Sequence, residues 1–231
     1  MVNKLKSRRV PISIDDTAAL VIRPQRTKVM PRPLIVGTDA GPSPPYPLRM
    51  EGEVISGFGR GSKELGIPTA NLPVDAAVTP WIADATSGIY FGWAALALPA
   101  THPDQQQHDG RPSAAAAAAA ASPVTLFPMV MSIGYNPFYK NTVRSAEVHV
   151  LHRFGADFYG ARLRLLVCGF VREERDYGDV KALVEDIKVD CEVARRSLDR
   201  PGWAPRELGR GTLDCSWLLR ELEPAGVSTG C

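Results

Sequence analysis

The sequence predicts a mainly β fold in which an antiparallel sheet closes into a small barrel and carries one packed helix. Two observations support this prediction. Short runs rich in β-branched and aromatic residues recur along the chain, bounded by turn residues and without helices between them, which is typical of antiparallel sheets and small barrels. Apolar residues recur at helical spacing in one long stretch near the C-terminal end, and that stretch predicts the helix.

The strands are predicted from alternation and from length. Leu48, Met50 and Val54 alternate with charged residues, a period of two that indicates a half-buried strand. Four later runs are also short, apolar and bounded by turn residues: residues 88–96, 124–134, 146–151 and 162–171.

The predicted helix begins after Asp179, a candidate N-cap, and ends before Pro201. Its apolar positions lie on one face and should pack on the barrel. They are Val180, Leu183, Val184, Ile187, Cys191, Ala194 and Leu198.

Composition divides the chain into segments. Residues 1–47 are predicted to form a mobile arm, because residues 1–32 carry eight basic and two acidic side chains and residues 31–47 are rich in Pro, Gly and Ser. Residues 99–123, with an alanine tract, are predicted to be a low-complexity surface insertion without chemistry. The folded domain is then residues 48–200, followed by a C-terminal tail at 201–231.

The overall composition, 45% hydrophobic and 23% charged, is that of an ordinary soluble globular protein, and no window is long and apolar enough to cross a bilayer. The net charge is only +2 and the chain beyond the arm is net acidic. These features argue against a nucleic-acid partner.

The cysteines and histidines show no metal-binding spacing. The four cysteines, at 168, 191, 215 and 231, predict reduced thiols in an intracellular protein. His149 and His152 should lie on opposite faces of a strand, so no zinc site is expected from them. We expect a cytoplasmic monomer, with a mitochondrial association of the basic arm as the alternative.

Residues 57–73 read GFGRGSKELGIPTANLP. The glycines let backbone N–H groups approach an anion, and Arg60 and Lys63 add positive charge, so a nucleotide phosphate is one candidate ligand. A simple turn between strands is the other interpretation. Within this stretch Thr69 and Asn71 point the same way if the backbone is extended, and their oxygens are ligands that Mg²⁺ accepts. Alternatively, both side chains cap their own backbone.

The run AEVHVL places Glu147 and His149 on one face of a strand whose other face is apolar. A carboxylate held near a substrate hydroxyl can take its proton during attack on phosphorus. From spacing alone, a solvated strand face is the other interpretation.

Three segments, GFGRGSKELGIPTANLP, residues 132–160 and residues 169–198, closely resemble riboflavin kinase of the monofunctional eukaryotic type. The resemblance spans residues 48–200 apart from the insertion. It implies a six-stranded antiparallel barrel that transfers the γ-phosphate of Mg-ATP to the 5′-hydroxyl of riboflavin, giving FMN and ADP. Because only a short segment precedes the barrel, we expect no adenylyltransferase domain and no FAD product.

The resemblance also assigns site residues. It implies that Glu147 is the catalytic carboxylate and that Thr69 and Asn71 bind the metal, which is Mg²⁺ with Zn²⁺ or Mn²⁺ as alternatives. The remaining assignments are Gly57 and Lys63 in a phosphate-covering loop, His149 beside the nucleotide, and Arg172 and Arg175 in contact with the flavin. The competing hypothesis is a non-catalytic barrel that binds a flavin or a nucleotide.

Overall fold

The computed structural model of this chain describes residues 32–56, 66–98, 102–104, 125–135 and 144–220. Contacts divide the chain into residues 1–32 and residues 33–231, and the strands and helices that the structure describes belong to the second unit. In the described ranges its strands and long helix are, in chain order, β1 (Leu48–Glu53), β2 (Ala70–Leu72), β3 (Gly88–Ala97), β4 (Thr125–Tyr135), β5 (Arg144–Val150), β6 (Arg162–Glu173) and α1 (Val180–Leu198).

The six strands form one antiparallel sheet in the order β1-β6-β3-β4-β5-β2. The mainly β architecture and its antiparallel strands are therefore confirmed. The predicted closure into a barrel is not confirmed, since among the described residues the β1 end of the sheet meets β2 at a single bridge between Ile55 and Asn71. The sheet is curled so that these two edges approach each other.

The inner face of the sheet encloses the main apolar core. On β5, for example, Ala146, Val148 and Val150 are buried and the residues between them are half-buried, which is the alternation expected of a strand with one face in a core. Met50, Leu72 and other large side chains of the remaining strands complete this cluster. The polar face of β5 is consequently the outer face.

The helix α1 covers part of the outer face. Asp179 caps it as predicted, because its Oδ1 accepts a hydrogen bond of 2.8 Å from the N–H of Ala182. Cys191, Ala194 and Leu198 of α1 belong to a second buried cluster, which we call the outer-face cluster. Its sheet members are Phe91, Trp93, Ala95, Leu126, Val130, Leu166 and Cys168. The predicted apolar face thus packs on the sheet through its C-terminal half.

The pairing of β3 with β6 is irregular at two points. The register shifts between Ile89 and Tyr90 and again between Phe91 and Gly92, and such irregularities bend and twist a sheet. A Cβ atom at Gly92 would lie 2.0 Å from the carbonyl oxygen of Leu166. This close approach of two backbones requires glycine.

Part of the predicted mobile arm is packed on the domain. The N–H of Val36 donates to Ser197 Oγ at 3.0 Å, Arg200 Nη1 donates to the carbonyl of Gly37 at 2.9 Å, and Trp203 Nε1 donates to the carbonyl of Thr38 at 2.7 Å. These hydrogen bonds hold residues 36–38 of the predicted arm against the domain. The proline-rich and glycine-rich composition of this segment does not indicate the long-range hydrogen bonds that hold residues 36–38 in place.

The tail that follows α1 is also docked in its described part. Trp203 stacks on Phe91 with ring centroids 5.6 Å apart, and Leu218 is fully buried. Cys215 lies in the same cluster, where burial raises the pKa of its thiol to about 12. Residues 1–31, residues 221–231 and most of the alanine-rich insertion lie outside the described residues. Among the helices that are described, none is long and apolar enough to span a membrane.

Candidate active site

The segment Pro68-Thr69-Ala70-Asn71 and strand β5 lie side by side. Asn71 is directly opposite Glu147 in the β2–β5 ladder. Asn71 is half-buried between the buried residues Ala70 and Leu72, so its side chain shares the outer face of the sheet with Glu147. Opposed residues on antiparallel strands have Cβ atoms about 5 Å apart. The acidic side chain and the predicted metal ligand are therefore neighbours.

Glu147 belongs to a row of opposed residues that crosses five strands. On its other side it faces Ser132 of β4, which faces Ile89 of β3, which in turn faces Arg172 of β6. We call the residues Asn71, Glu147, Ser132, Ile89 and Arg172 the lateral row. With strands about 4.8 Å apart, the row puts Glu147 and Arg172 roughly 15 Å from each other on one face.

Glu147 is in an environment suited to a base. Burial raises the pKa of its carboxyl above the ordinary value, because desolvation disfavours the charged form. It forms no salt bridge or side-chain hydrogen bond with the residues that the structure describes. A carboxylate that is desolvated and uncompensated is a stronger proton acceptor than one in water.

His149, two residues further along β5, is fixed against the Pro68 turn. Its Nδ1 lies 2.8 Å from the carbonyl oxygen of Pro68, and since a carbonyl only accepts, Nδ1 carries the proton. Burial lowers the pKa of His149, the bond to Pro68 raises it and the charge of Arg195 lowers it, with a net decrease. The ring is thus neutral near pH 7, with an unprotonated Nε2.

A cleft of about 710 Å³ opens beside these residues. Its lining consists of Val54, Gly66, Pro68, Thr69 and Ala70, residues 148–159, and Arg195 of α1. The volume falls within the range of small-molecule sites. Phe154, Phe158 and Tyr159 give the wall formed by the loop after β5 an aromatic character.

A short described piece of the insertion supports that loop. His102 is only 5% exposed and packs edge-on against Phe154 and Phe158. Its Nε2 donates to the carbonyl of Ala156 at 3.1 Å, and Asp104 Oδ2 accepts from the N–H of Gly155 at 2.8 Å. Within the predicted insertion at 99–123, residues 102–104 therefore hold the cleft loop in place.

Arg172, at the far end of the lateral row, is fully engaged within the protein. Its Nε and Nη2 donate to the two carboxylate oxygens of Asp190 at 3.0 and 2.7 Å, and Nη2 is also 3.2 Å from Asp186. Arg175 Nη1 and the hydroxyl of Tyr177 contact the same Asp186 oxygen at 3.4 and 2.5 Å. This network fixes the turn between β6 and α1.

The predicted site residues thus form two groups. Thr69, Asn71, Glu147 and His149 come together at or beside the cleft, whereas Arg172 and Arg175 lie at the β6–α1 turn. Gly57 and Lys63 lie outside the described residues. Their assignment to a phosphate-covering loop stays a prediction.

The described residues contain no group of three or more His, Cys, Asp and Glu side chains that could hold a metal ion. A hydroxyl and an amide such as those of Thr69 and Asn71 suit a different kind of site, in which substrate oxygens and water complete the coordination of a hard cation. Neither side chain forms a hydrogen bond with another described residue.

Three residues at or near the site were not predicted from the sequence. Ser132 shares the outer face with Glu147, and the only indication of it in the sequence is that it is a polar residue inside an apolar run. His102 lies in a segment whose composition indicates low complexity. Arg195 follows Ala194 on α1, and the helical period predicts its position at the edge of the apolar face. The helical period does not predict which cleft this edge of the helix lines.

Comparisons with known proteins identify the family. Residues 44–198 match the family model Flavokinase, described as riboflavin kinase. A riboflavin kinase from Chaetomium globosum is 59% identical, covering 82% of this chain and 93% of that protein, and one from Pyricularia oryzae is 57% identical, covering 82% and 94%. The crystal structure of riboflavin kinase from Trypanosoma brucei is 27% identical over 69% of this chain and 84% of that chain, with a TM-score of 0.48. By its family-model match and its identity to the proteins from Chaetomium globosum and Pyricularia oryzae, this chain belongs to the riboflavin kinase family.

Proposed function

We propose that this protein phosphorylates riboflavin at its 5′-hydroxyl with Mg-ATP, giving FMN and ADP. The family membership supports the reaction class, and the opposition of Glu147 and Asn71 beside the cleft is the observation that carries the mechanism. A phosphoryl group bound at Thr69 and Asn71 would lie next to a carboxylate that can accept the proton of the attacking hydroxyl.

Glu147 acts as the general base. Its raised pKa makes it a stronger proton acceptor than a carboxylate in water, and no described residue forms a salt bridge with it that proton transfer would have to break. The neighbouring Ser132 lies directly opposite on β4 and offers a small polar side chain where the hydroxyl would be oriented.

Thr69 Oγ1 and Asn71 Oδ1 would hold the divalent cation, together with phosphate oxygens and water. The cation supplies charge neutralisation at the transferring phosphoryl group. The chain's own contribution is to fix the two oxygens: Asn71 is held in the β2–β5 ladder and by its carbonyl, which accepts from Ile55 N–H at 2.9 Å. Gly57 and Lys63 are assigned to the phosphates by the family motif alone.

The nucleotide fits the cleft between the Pro68 turn, the loop after β5 and α1. A neutral His149 exposes an acceptor nitrogen, and the aromatic side chains of Phe154 and Phe158 provide flat apolar surface of the kind that binds a base. The flavin would then extend along the lateral row from Glu147 toward the β6–α1 turn. An extended ribityl chain with its tricyclic ring spans a comparable distance, so Arg172 and Arg175 would lie near the ring end.

One assay separates this proposal from the non-catalytic binding module. The purified full-length chain is incubated with riboflavin, ATP and Mg²⁺, and the products are resolved by chromatography. We expect FMN and ADP in equal amounts. Binding of riboflavin or nucleotide without FMN formation would support the binding module and overturn the proposed reaction.

A further inference from the structure

The C-terminal part of α1 brings a positive charge to the cleft. Cys191, Ala194 and Leu198 pack this part of the helix into the outer-face cluster, so the backbone that carries Arg195 is held against the sheet. Arg195 lines the same cleft as Thr69 and His149.

The surroundings of Arg195 differ from those of its neighbours. Arg196 forms a 2.5 Å pair with Glu192, and Arg200 pairs with Asp39 at 3.1 Å. Arg195 forms no salt bridge or side-chain hydrogen bond with any residue in the described part of the chain. A guanidinium without an ion-pair partner at the wall of a cleft can bind an anionic ligand.

The charge lies close to the end of the cleft where phosphates are expected. Its positive field contributes to the lowered pKa of His149, and His149 is bonded to the Pro68 turn that precedes Thr69. The other described charges of the lining are on the loop after β5, namely Arg153 and Asp157. Arg195 is therefore the cation that the helix, rather than the loops, contributes to this site.

We propose that Arg195 binds phosphate oxygens of the nucleotide co-substrate and so adds a contact from α1 to those of the Thr69–Asn71 segment. The inference rests on the proposed function for the identity of the ligand. A purely structural role is the alternative, because cations in the last turn of a helix stabilise it through the helix dipole. Arg195 and Arg196 share that role equally, and of these two only Arg195 lines the cleft.

The test compares Arg195→Ala, Arg195→Lys and the matched control Arg196→Ala in the full-length protein. ADP affinity by titration calorimetry is a readout that needs no turnover, and KM values for ATP and riboflavin are measured in parallel. We expect Arg195→Ala to weaken ADP binding and raise the KM for ATP roughly tenfold, the size of one charge-assisted hydrogen bond. Arg195→Lys should recover part of the loss, and the KM for riboflavin should change by less than about twofold.

Salt provides a second measure. Because the proposed contact is ionic, the ADP affinity of Arg195→Ala should depend less steeply on ionic strength than that of the unchanged protein. Nucleotide affinity within about twofold of the unchanged protein, or equal losses in Arg195→Ala and Arg196→Ala, would overturn the inference. These outcomes leave the proposed function standing if the unchanged protein makes FMN, whereas absence of FMN there counts against the proposed function itself.

Discussion

The pKa values of two glutamates on the sheet are shifted in opposite directions. Glu51 of β1 accepts from Arg162 Nη2 at 2.6 Å and from Arg164 Nε at 2.8 Å. Burial raises the pKa of Glu51, but the two arginines outweigh burial and hold the pKa below its usual value. Glu147 has no such described partner, and burial raises its pKa. Charges that are compensated within the protein serve the fold, and an uncompensated one beside a cleft is available for chemistry.

The largest expected effect is on turnover. Glu147→Gln keeps the shape of the side chain and removes the base, so kcat should fall by about 10²- to 10⁴-fold. ADP affinity should stay within a few-fold of the unchanged protein, as it will if the cleft is intact. Glu51→Gln is the matched control and should keep near-normal kcat. Near-normal turnover in Glu147→Gln would remove Glu147 from its role.

The next largest effect is expected on the Mg²⁺ requirement, when a proposed metal ligand is replaced. Thr69→Ala should raise the Mg²⁺ concentration needed for half-maximal activity by at least about tenfold, the order of effect of perturbing a metal site. Thr69→Ser keeps the hydroxyl and should restore most of the affinity. The measurement is a Mg²⁺ titration of FMN formation at fixed ATP. If the two variants titrate alike, the hydroxyl does not bind the cation.

The next prediction concerns the buried ion pair between Arg172 and Asp190, at the other end of the lateral row. Asp190 is 1% exposed, and Asp190→Asn deprives the Arg172 guanidinium of its bidentate carboxylate. We expect a loss of about 3 kcal/mol in the free energy of unfolding, measured by urea denaturation. Glu185→Gln, which breaks the exposed pair with Lys188 on the same helix, should leave the free energy of unfolding nearly unchanged, because exposed ion pairs contribute little to stability. Equal losses in the two variants would mean that burial adds nothing to the Asp190 pair.

Five of the six strands and the helix were predictable from local pattern, namely alternation or a short apolar run for each strand and a helical period for α1. The three-residue strand β2 was not predicted from its residues. The runs at 88–96 and 162–171 became β3 and β6 with their ends extended by a few residues, and the helix begins at its predicted cap. Residues 36–39 were not predictable from their composition. Their order depends on Arg200 and Trp203, which are distant in sequence and leave no local pattern.

The site also contains some features that the sequence could predict and others that it could not. That Glu147 and His149 share a face follows from a strand period of two, and the resemblance supplied their roles. That Asn71 lies opposite Glu147 depends on which strand β2 joins, and a strand of three residues contains too little pattern to specify its partner. Arg195 reaches the cleft only because of how α1 is rotated and docked, which is decided by the packing of the outer-face cluster.

The smallest effect tests the comparison of the two glutamates directly, through the pH dependence of stability in metal-free protein. The folded-state pKa of Glu147 is above its value of about 4.5 in the unfolded chain. The folded protein therefore binds the extra proton, and stability is lost as pH rises through the folded pKa. Since glutamine does not titrate, Glu147→Gln should gain stability relative to the unchanged protein between about pH 4.5 and about pH 7.

Glu51 should behave in the opposite sense. Its folded-state pKa is lowered, so its ion pairs stabilise the protein above the unfolded pKa and are lost as pH falls through the folded pKa. Glu51→Gln should be less stable than the unchanged protein near neutral pH, by no more than about 1 kcal/mol for a partly exposed pair, and the difference should close in acid. Urea unfolding of both variants from about pH 3.5 to about pH 7 measures the two slopes. Slopes of the same sign would mean that Glu147 is compensated by a charge in the folded protein, and the contrast that supports its catalytic role would disappear.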